Sequence, residues 1–290
     1  MRPDDWHFTE DIDEFLDRAG DFLRSRPALH TTALTTFEKL RTGGAGANDA
    51  ETPLFGRLEQ SGGVSAVCYR FTRRNLLSVT PLVPEQADGL AARLAAHPDA
   101  LGRRLPGVSA EQGTATAFAE AWQRRTGATT TFRVPINLYR LGTLTPPQPV
   151  PAGRGRPVGE DEHEHLMQWC REVAEEFGED ITINADTWAG TRFGEKSYTY
   201  WETPDGTPVS MAGVNPTVAG HVRVDPVYTP AHLRGRGYAG AVTVEVTRAA
   251  LAAGATDVVL YTDPANLTSN ALYQRIGYRL IAVWGVYDFT

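Results

Sequence analysis

The apolar residues Ile12, Phe15, Leu16, Ala19, Phe22 and Leu23 recur at steps of three and four, the period of a helix with one buried face. Pro27 interrupts the pattern, and Ala33, Leu34, Phe37 and Leu40 carry it on as a second helix. The Gly-, Ala- and Asn-rich stretch 42–52 reads as a mobile loop. Two β-rich runs, 54–59 and 64–71, flank Gln60-Ser61-Gly62-Gly63 and predict a hairpin. A strand over 76–79, a helix over 85–96, a strand over 107–109 and a helix over 111–125 ending near Gly127 complete the first half.

The second half repeats that order. A strand at 138–141 leads into a Pro/Gly-rich connection, 143–159, and then a helix over 164–177 with Leu166, Trp169, Cys170, Val173 and Phe177 on one face. Strands at 198–203 and 209–214 flank the turn Pro204-Asp205-Gly206. A strand at 221–227, a helix at 239–253, a buried strand at 257–261, a helix at 269–276 and a closing strand pair at 280–289 follow. Three echoes fall at matching places. EQSGGVS (59–65) faces ETPDGTPVS (202–210), SVTPLVP (78–84) faces RVDPVYTP (223–230), and AWQRRTG (121–127) faces LYQRIGY (272–278). Hairpins and helix ends reuse glycine, so any one echo says little. Their common order predicts a duplicated unit with a boundary near Thr130, giving domains 1–130 and 131–290.

Composition narrows the class. A chain of 290 residues, 41% apolar and 22% charged, is long enough for two ordinary domains without a metal or disulfide staple. Cys68 and Cys170 have no zinc-like spacing and allow one bridge at most. The polar, acidic opening and the lack of a long apolar run lead us to expect no signal peptide, no membrane span and a cytoplasmic location. A net charge of -7 argues against a nucleic-acid partner, although a local basic loop can still hold phosphate.

Such a loop lies in VRVDPVYTPAHLRGRGYAG (222–240), where a strand runs into Arg234-Gly235-Arg236-Gly237 and then a helix. Successive amides at a glycine-rich helix start form an anion nest, and arginines there can pair with phosphate oxygens. Taken alone, the loop is also a plain strand-to-helix turn. Beyond it, Asn266 and Ser269 suit a helix start, Gly277 suits a helix end, and Tyr273 lies at the edge of the apolar stripe, as a core aromatic or a site residue.

These two segments together resemble the GNAT superfamily of N-acetyltransferases. The first matches the acyl-CoA loop pattern R/Q-x-x-G-x-G/A as His232-Leu233-Arg234-Gly235-Arg236-Gly237, with histidine at the usual Gln/Arg position. The overlapping register Arg234-x-x-Gly237-x-Ala239 fits without that departure. The second matches N-x-x-x-N-x-x-Y-x-x-x-G-Y/F as Asn266, Asn270, Tyr273, Gly277 and Tyr278. The resemblance covers about 133–290. It implies an α/β mixed-sheet GNAT fold, used twice in tandem, with acetyl-CoA as co-substrate and no metal. The pantetheine arm would meet main chain near Val224, Val227 and Tyr228, and the pyrophosphate would sit on Arg234, Gly235, Arg236, Gly237, Tyr238 and Ala239. Asn266 and Asn270 would hold the arm, and Tyr273 would protonate the departing thiolate. Asp225, His221 and Glu202 are base candidates that no motif ranks, Asp225 being the one adopted; each suits a solvated surface equally well.

The implied activity is direct acetyl transfer to a primary amine, on a small molecule or a protein. A longer acyl-CoA donor and a non-catalytic CoA sensor are the alternatives, and both monomer and oligomer are open. In the first half, Pro84-Glu85-Gln86-Ala87-Asp88 stands where the second has its glycine loop, and Trp122 stands where it has Tyr273. A degenerate first module without CoA affinity is therefore expected. His163 and His165, two apart at a helix start, read as solvated rather than as metal ligands. Trp188 and Trp201 suit either core or acceptor pocket, and no G-x-S-x-G motif suggests a covalent acyl-enzyme.

Overall fold

A computed structural model describes residues 6–43, 53–60, 62–72, 75–96, 105–133, 135–177 and 194–290. The expected mobile loop past Gly43, the hairpin residue Ser61 and Trp188 lie outside these residues. The chain forms two compact units, Met1–Leu138 with Asp263–Ala265 and Leu280–Thr290, and Tyr139–Thr262 with Asn266–Arg279.

In the first unit, β1 (Trp6–Thr9) precedes α1 (Ile12–Ser25) and α2 (Thr31–Gly43). Asp11 starts α1 because its carboxylate accepts the Asp13 and Glu14 amides at 2.8 and 3.0 Å, satisfying donors that the first turn leaves over. Phe15, Ala19 and Leu23 form its buried stripe. Then come the hairpin β2 (Leu54–Gln60) and β3 (Gly63–Arg70), β4 (Leu77–Val79), α3 (Pro84–Ala95), β5 (Gly107–Glu111), α4 (Gln112–Thr126) and β6 (Thr130–Phe132). The strands β1 to β4 pair antiparallel in turn, and β4 runs parallel to β5. Leu58, Ala66, Leu77, Leu90, Val108 and Phe118 are in its core.

The second unit repeats the scheme. It takes in the end of β7 (Ile136–Leu141), β8 (Arg154–Pro157), α5 (His163–Phe177), β9 (Ser197–Glu202), β10 (Pro208–Val214), β11 (His221–Tyr228), α6 (Tyr238–Ala252), β12 (Asp257–Thr262) and α7 (Leu267–Arg275). β8 to β11 pair antiparallel in turn, and β11 runs parallel to β12. Val222 and Val224 pack with Val242, Val244 and Val246 of α6, while Tyr200, Met211 and Tyr228 pack with Leu166, Trp169 and Val173 of α5. The valines and threonines of α6 are poor helix formers in isolation, so burial of this helix stabilises it.

Several details differ from the pattern reading. The chain end is not a strand pair but one long strand, β13 (Tyr278–Phe289). Its residues from Leu280 onward lie in the first unit, where Trp284 to Asp288 pair antiparallel with β5. The first unit also runs past Thr130, since β6 pairs with β13 there. β1, β6 and β8 were not legible; they are short, and neither Thr130–Phe132 nor the Arg-Gly-Arg-Pro of β8 shows an apolar alternation.

Candidate functional site

The ladder between β11 and β12 holds only over His221–Asp257, Val222–Val258 and Arg223–Val259. Beyond it, Val224 to Tyr228 have no partner in β12, although Val224, Val227 and Tyr228 still pair with β10. The parting coincides with a bulge, in which Asp225 and Pro226 together stand opposite Gly213. An extra residue bends a strand away from its neighbour, and proline has no N–H to give a ladder. In the first unit all three residues of β4 are paired with β5.

At the end of the parted strand, residues 229–237 lead to α6. Gly235 and Gly237 take left-handed φ values of 76° and 84°, which a side chain would strain, and so turn successive amides around Arg236. Gly237 caps α6 without any side-chain hydrogen bond, leaving the first-turn amides and the positive end of the helix for an anion. Tyr238 is half-buried against the core, and the Ala239 carbonyl accepts the Thr243 hydroxyl at 2.7 Å. The first unit spans the same step with residues 80–83. There the Leu82 amide goes to the Thr114 hydroxyl at 2.8 Å, the Val83 amide goes to Gln86 at 3.1 Å, and Pro84 begins the helix.

The two loop arginines differ. The Arg234 guanidinium donates to the Thr229 carbonyl at 2.9 Å, pairs with Glu176 of α5 and lies over the Tyr228 ring. Arg236 makes only a long contact, 3.5 Å, to the His232 carbonyl. The Tyr228 hydroxyl donates to Glu172 at 2.5 Å, which holds that carboxyl below its usual range. Glu172 and Glu176 were not singled out from the sequence; their four-residue spacing on one helix face was the available signal.

On the other flank, the Asn266 side chain caps α7 by accepting the Ser269 amide at 3.0 Å. Asn270, buried, accepts the Thr262 hydroxyl at 2.6 Å and donates to the Asn266 carbonyl at 2.8 Å, tying α7 to the end of β12. Both asparagines thus shape the rim of the opening. Gly277 has φ 105°, and a Cβ there would fall 1.8 Å from the Thr143 carbonyl oxygen, so only glycine fits. Tyr273 is buried with its ring edge-to-face on Tyr278, centroids 6.1 Å apart. Burial, with smaller contributions from Tyr278 and Asp225, pushes its phenol well above the ordinary range. The Tyr278 hydroxyl is itself satisfied by Thr247 at 2.7 Å.

Of the base candidates, Asp225 lies in the bulge and pairs with the Lys196 ammonium at 2.5 Å. Glu202 is held by Arg154 at 2.8 Å and Arg156 at 2.7 Å, both of which keep its carboxyl ionised. His221 is buried where β11 is still laddered. His165 is surface-exposed, with its ring on Trp169 and Tyr200, and Trp201 is core. No cluster of three or more potential metal ligands occurs among the described residues, and none of their helices is long and apolar enough to cross a membrane.

Residues 223–285, the stretch from the parted strand through the glycine loop and α7, match the family model described as FR47-like protein. A GCN5-related N-acetyltransferase from Sphaerobacter thermophilus superposes with a TM-score of 0.61 at 18% identity, over 99% of this chain and 96% of its own. A second one, from Kribbella flavida, gives 0.51 at 20% identity over 77% and 86%. The chain has the GNAT fold. A tandem GNAT protein from the clavulanic acid biosynthesis pathway matches 97% of this chain and 97% of its own at 13% identity, with a TM-score of 0.53. That end-to-end match accords with a GNAT element order present twice. No curated protein matches the chain.

Proposed function

We propose that the second unit is an acyl-CoA-dependent N-acetyltransferase that moves acetyl directly from acetyl-CoA to a primary amine. The observation that carries this reading is the parting of β11 from β12, with an uncapped glycine loop following β11 and a buried phenol on α7 that feels the charge of Asp225. The main-chain groups of Val224, Val227 and Tyr228 suit a pantetheine arm, which carries amides of its own. The amides of Gly235 to Ala239, with Arg236, suit a pyrophosphate. Acetyl-CoA would supply an activated thioester. Tyr273 then has the protonation state to give its proton to a thiolate, and Asp225 in the bulge is the base candidate nearest that chemistry. The first unit, with β4 fully paired and its loop amides already bonded, is proposed to bind no CoA.

Two measurements test the reading. Acetyl-CoA should raise the melting temperature by mass action, and no shift would overturn it. Tyr273→Phe keeps the ring but removes the acid. Turnover, followed as CoA release over a panel of amines, should fall about 100-fold or more with acetyl-CoA affinity retained. Unchanged turnover would remove Tyr273 from the mechanism. Binding with no turnover on any amine would favour a CoA sensor, and faster rates with longer chains would favour a different acyl donor.

A further inference from the structure

The chain carries 28 basic residues, and only two of them are lysines, Lys39 and Lys196. Lys39 is exposed on α2. Lys196 is the reverse. Its side chain is 9% exposed, and its ammonium lies 2.5 Å from the carboxylate of Asp225 in the β11 bulge. Ser197, the next residue, pairs with Val214 at the start of β9, so the lysine stem crosses β10 to reach β11. Asp225 stands where β11 leaves β12, and its charge is felt by the Tyr273 phenol. A primary amine therefore sits at the bulge, already on a carboxylate whose charge reaches the Tyr273 phenol. The Asp225 side chain is half exposed.

We propose that Lys196 is a self-acetylation site. This rests on the transferase reading above. The Lys196 ammonium gives a proton to Asp225, and the neutral nitrogen bonds to the thioester carbonyl carbon. The carbon–sulfur bond breaks, CoA leaves as the thiol with the proton of Tyr273, which regains one from Asp225, and the amide nitrogen releases its second proton to water. The products are acetyl-Lys196 and free CoA, with no oxidant or further reactant. The modification removes the lysine charge and releases Asp225 from its ion pair, leaving the carboxylate for an external cationic amine.

The two-lysine composition makes the test clean. The full-length protein is incubated with acetyl-CoA and no acceptor, then read by intact mass and peptide mapping. One acetyl should appear on covered Lys196 ahead of exposed Lys39, the opposite of what non-enzymatic acetylation gives. Asp225→Asn should slow the modification about 100-fold or more, the range expected for loss of a general base. A melting-temperature shift with acetyl-CoA in both proteins verifies that the donor is bound. A protein that binds acetyl-CoA but leaves Lys196 unmodified, or labels Lys39 at an equal or greater rate, overturns the proposal alone. A protein that does not bind acetyl-CoA overturns the transferase reading instead.

Discussion

At the scale of single residues, the glycine loop separates two arginines that are equivalent in sequence. Arg234 is engaged by Glu176 and by the Thr229 carbonyl, whereas Arg236 makes a 3.5 Å contact to the His232 carbonyl. The Arg234–Glu176 pair is about half exposed on both sides, so it contributes at most about 1 kcal/mol. A phosphate competing for Arg234 has to displace that carboxylate. Glu176→Gln should therefore tighten acetyl-CoA binding, by no more than about fivefold. Arg236→Gln should weaken it by roughly tenfold, consistent with loss of a charged hydrogen bond. Both effects should shrink as salt is raised. Isothermal titration calorimetry decides this, and weaker binding by Glu176→Gln would show that the ion pair supports the loop instead of competing with its ligand. The motif made the arginines visible in the sequence. Their inequality depends on an acid more than fifty positions away in the chain, which local pattern does not reveal.

At the scale of elements, most helices and hairpins were legible because each has one buried face and ordinary punctuation. Asp11, Gly127 and the turn at Gly206 are examples. The pattern of one strand does not show where β11 parts from β12, because a bulge is a property of two strands together. β8 shows the same limit. Its sequence is polar, and its place is set by Arg156, which grips Glu162 with two bonds of 2.7 Å and Glu202 with a third of 2.7 Å. The Arg156 guanidinium, helped by the Gly159 amide, holds the Glu162 carboxyl down to about 2. A carboxyl depressed in the folded state stabilises it above the ordinary carboxylate range, and that stabilisation is lost as pH falls toward 2. Glu162→Gln should lower the melting temperature at neutral pH and have progressively less effect on acidification. A deficit that stays constant with pH would mean that packing, not charge, accounts for the role of Glu162.

At the scale of the whole chain, the element order recurs with an exchanged end, since residues from Leu280 onward lie in the first unit. On the reading proposed above, the net charge of -7 conceals one anion site at the uncapped glycine loop of the second unit, whereas at the matching step of the first the Leu82 and Val83 amides are already bonded. Calorimetry should accordingly return one acetyl-CoA per chain, not two. The exchanged end has a harsher consequence. Residues from Leu280 onward lie in the first unit, where Trp284 to Asp288 pair with β5 and Phe289 stacks on Phe118 and Trp122 at centroid distances of 6.3 and 6.1 Å. The chain's last strand thus completes the core of its first unit. Phe289→Ala should cost about 3–5 kcal/mol, in the range for truncating a buried aromatic. A fragment lacking residues 1–130 keeps the glycine loop, Tyr273 and Asp225, yet its terminal strand has lost β5 and its aromatic residues have lost their core. An apolar strand with an edge left open invites aggregation, so this fragment should be insoluble or poorly ordered. A soluble fragment with full acetyl-CoA affinity would show that the second unit stands without the first, and that the exchange of the last strand is dispensable for the site.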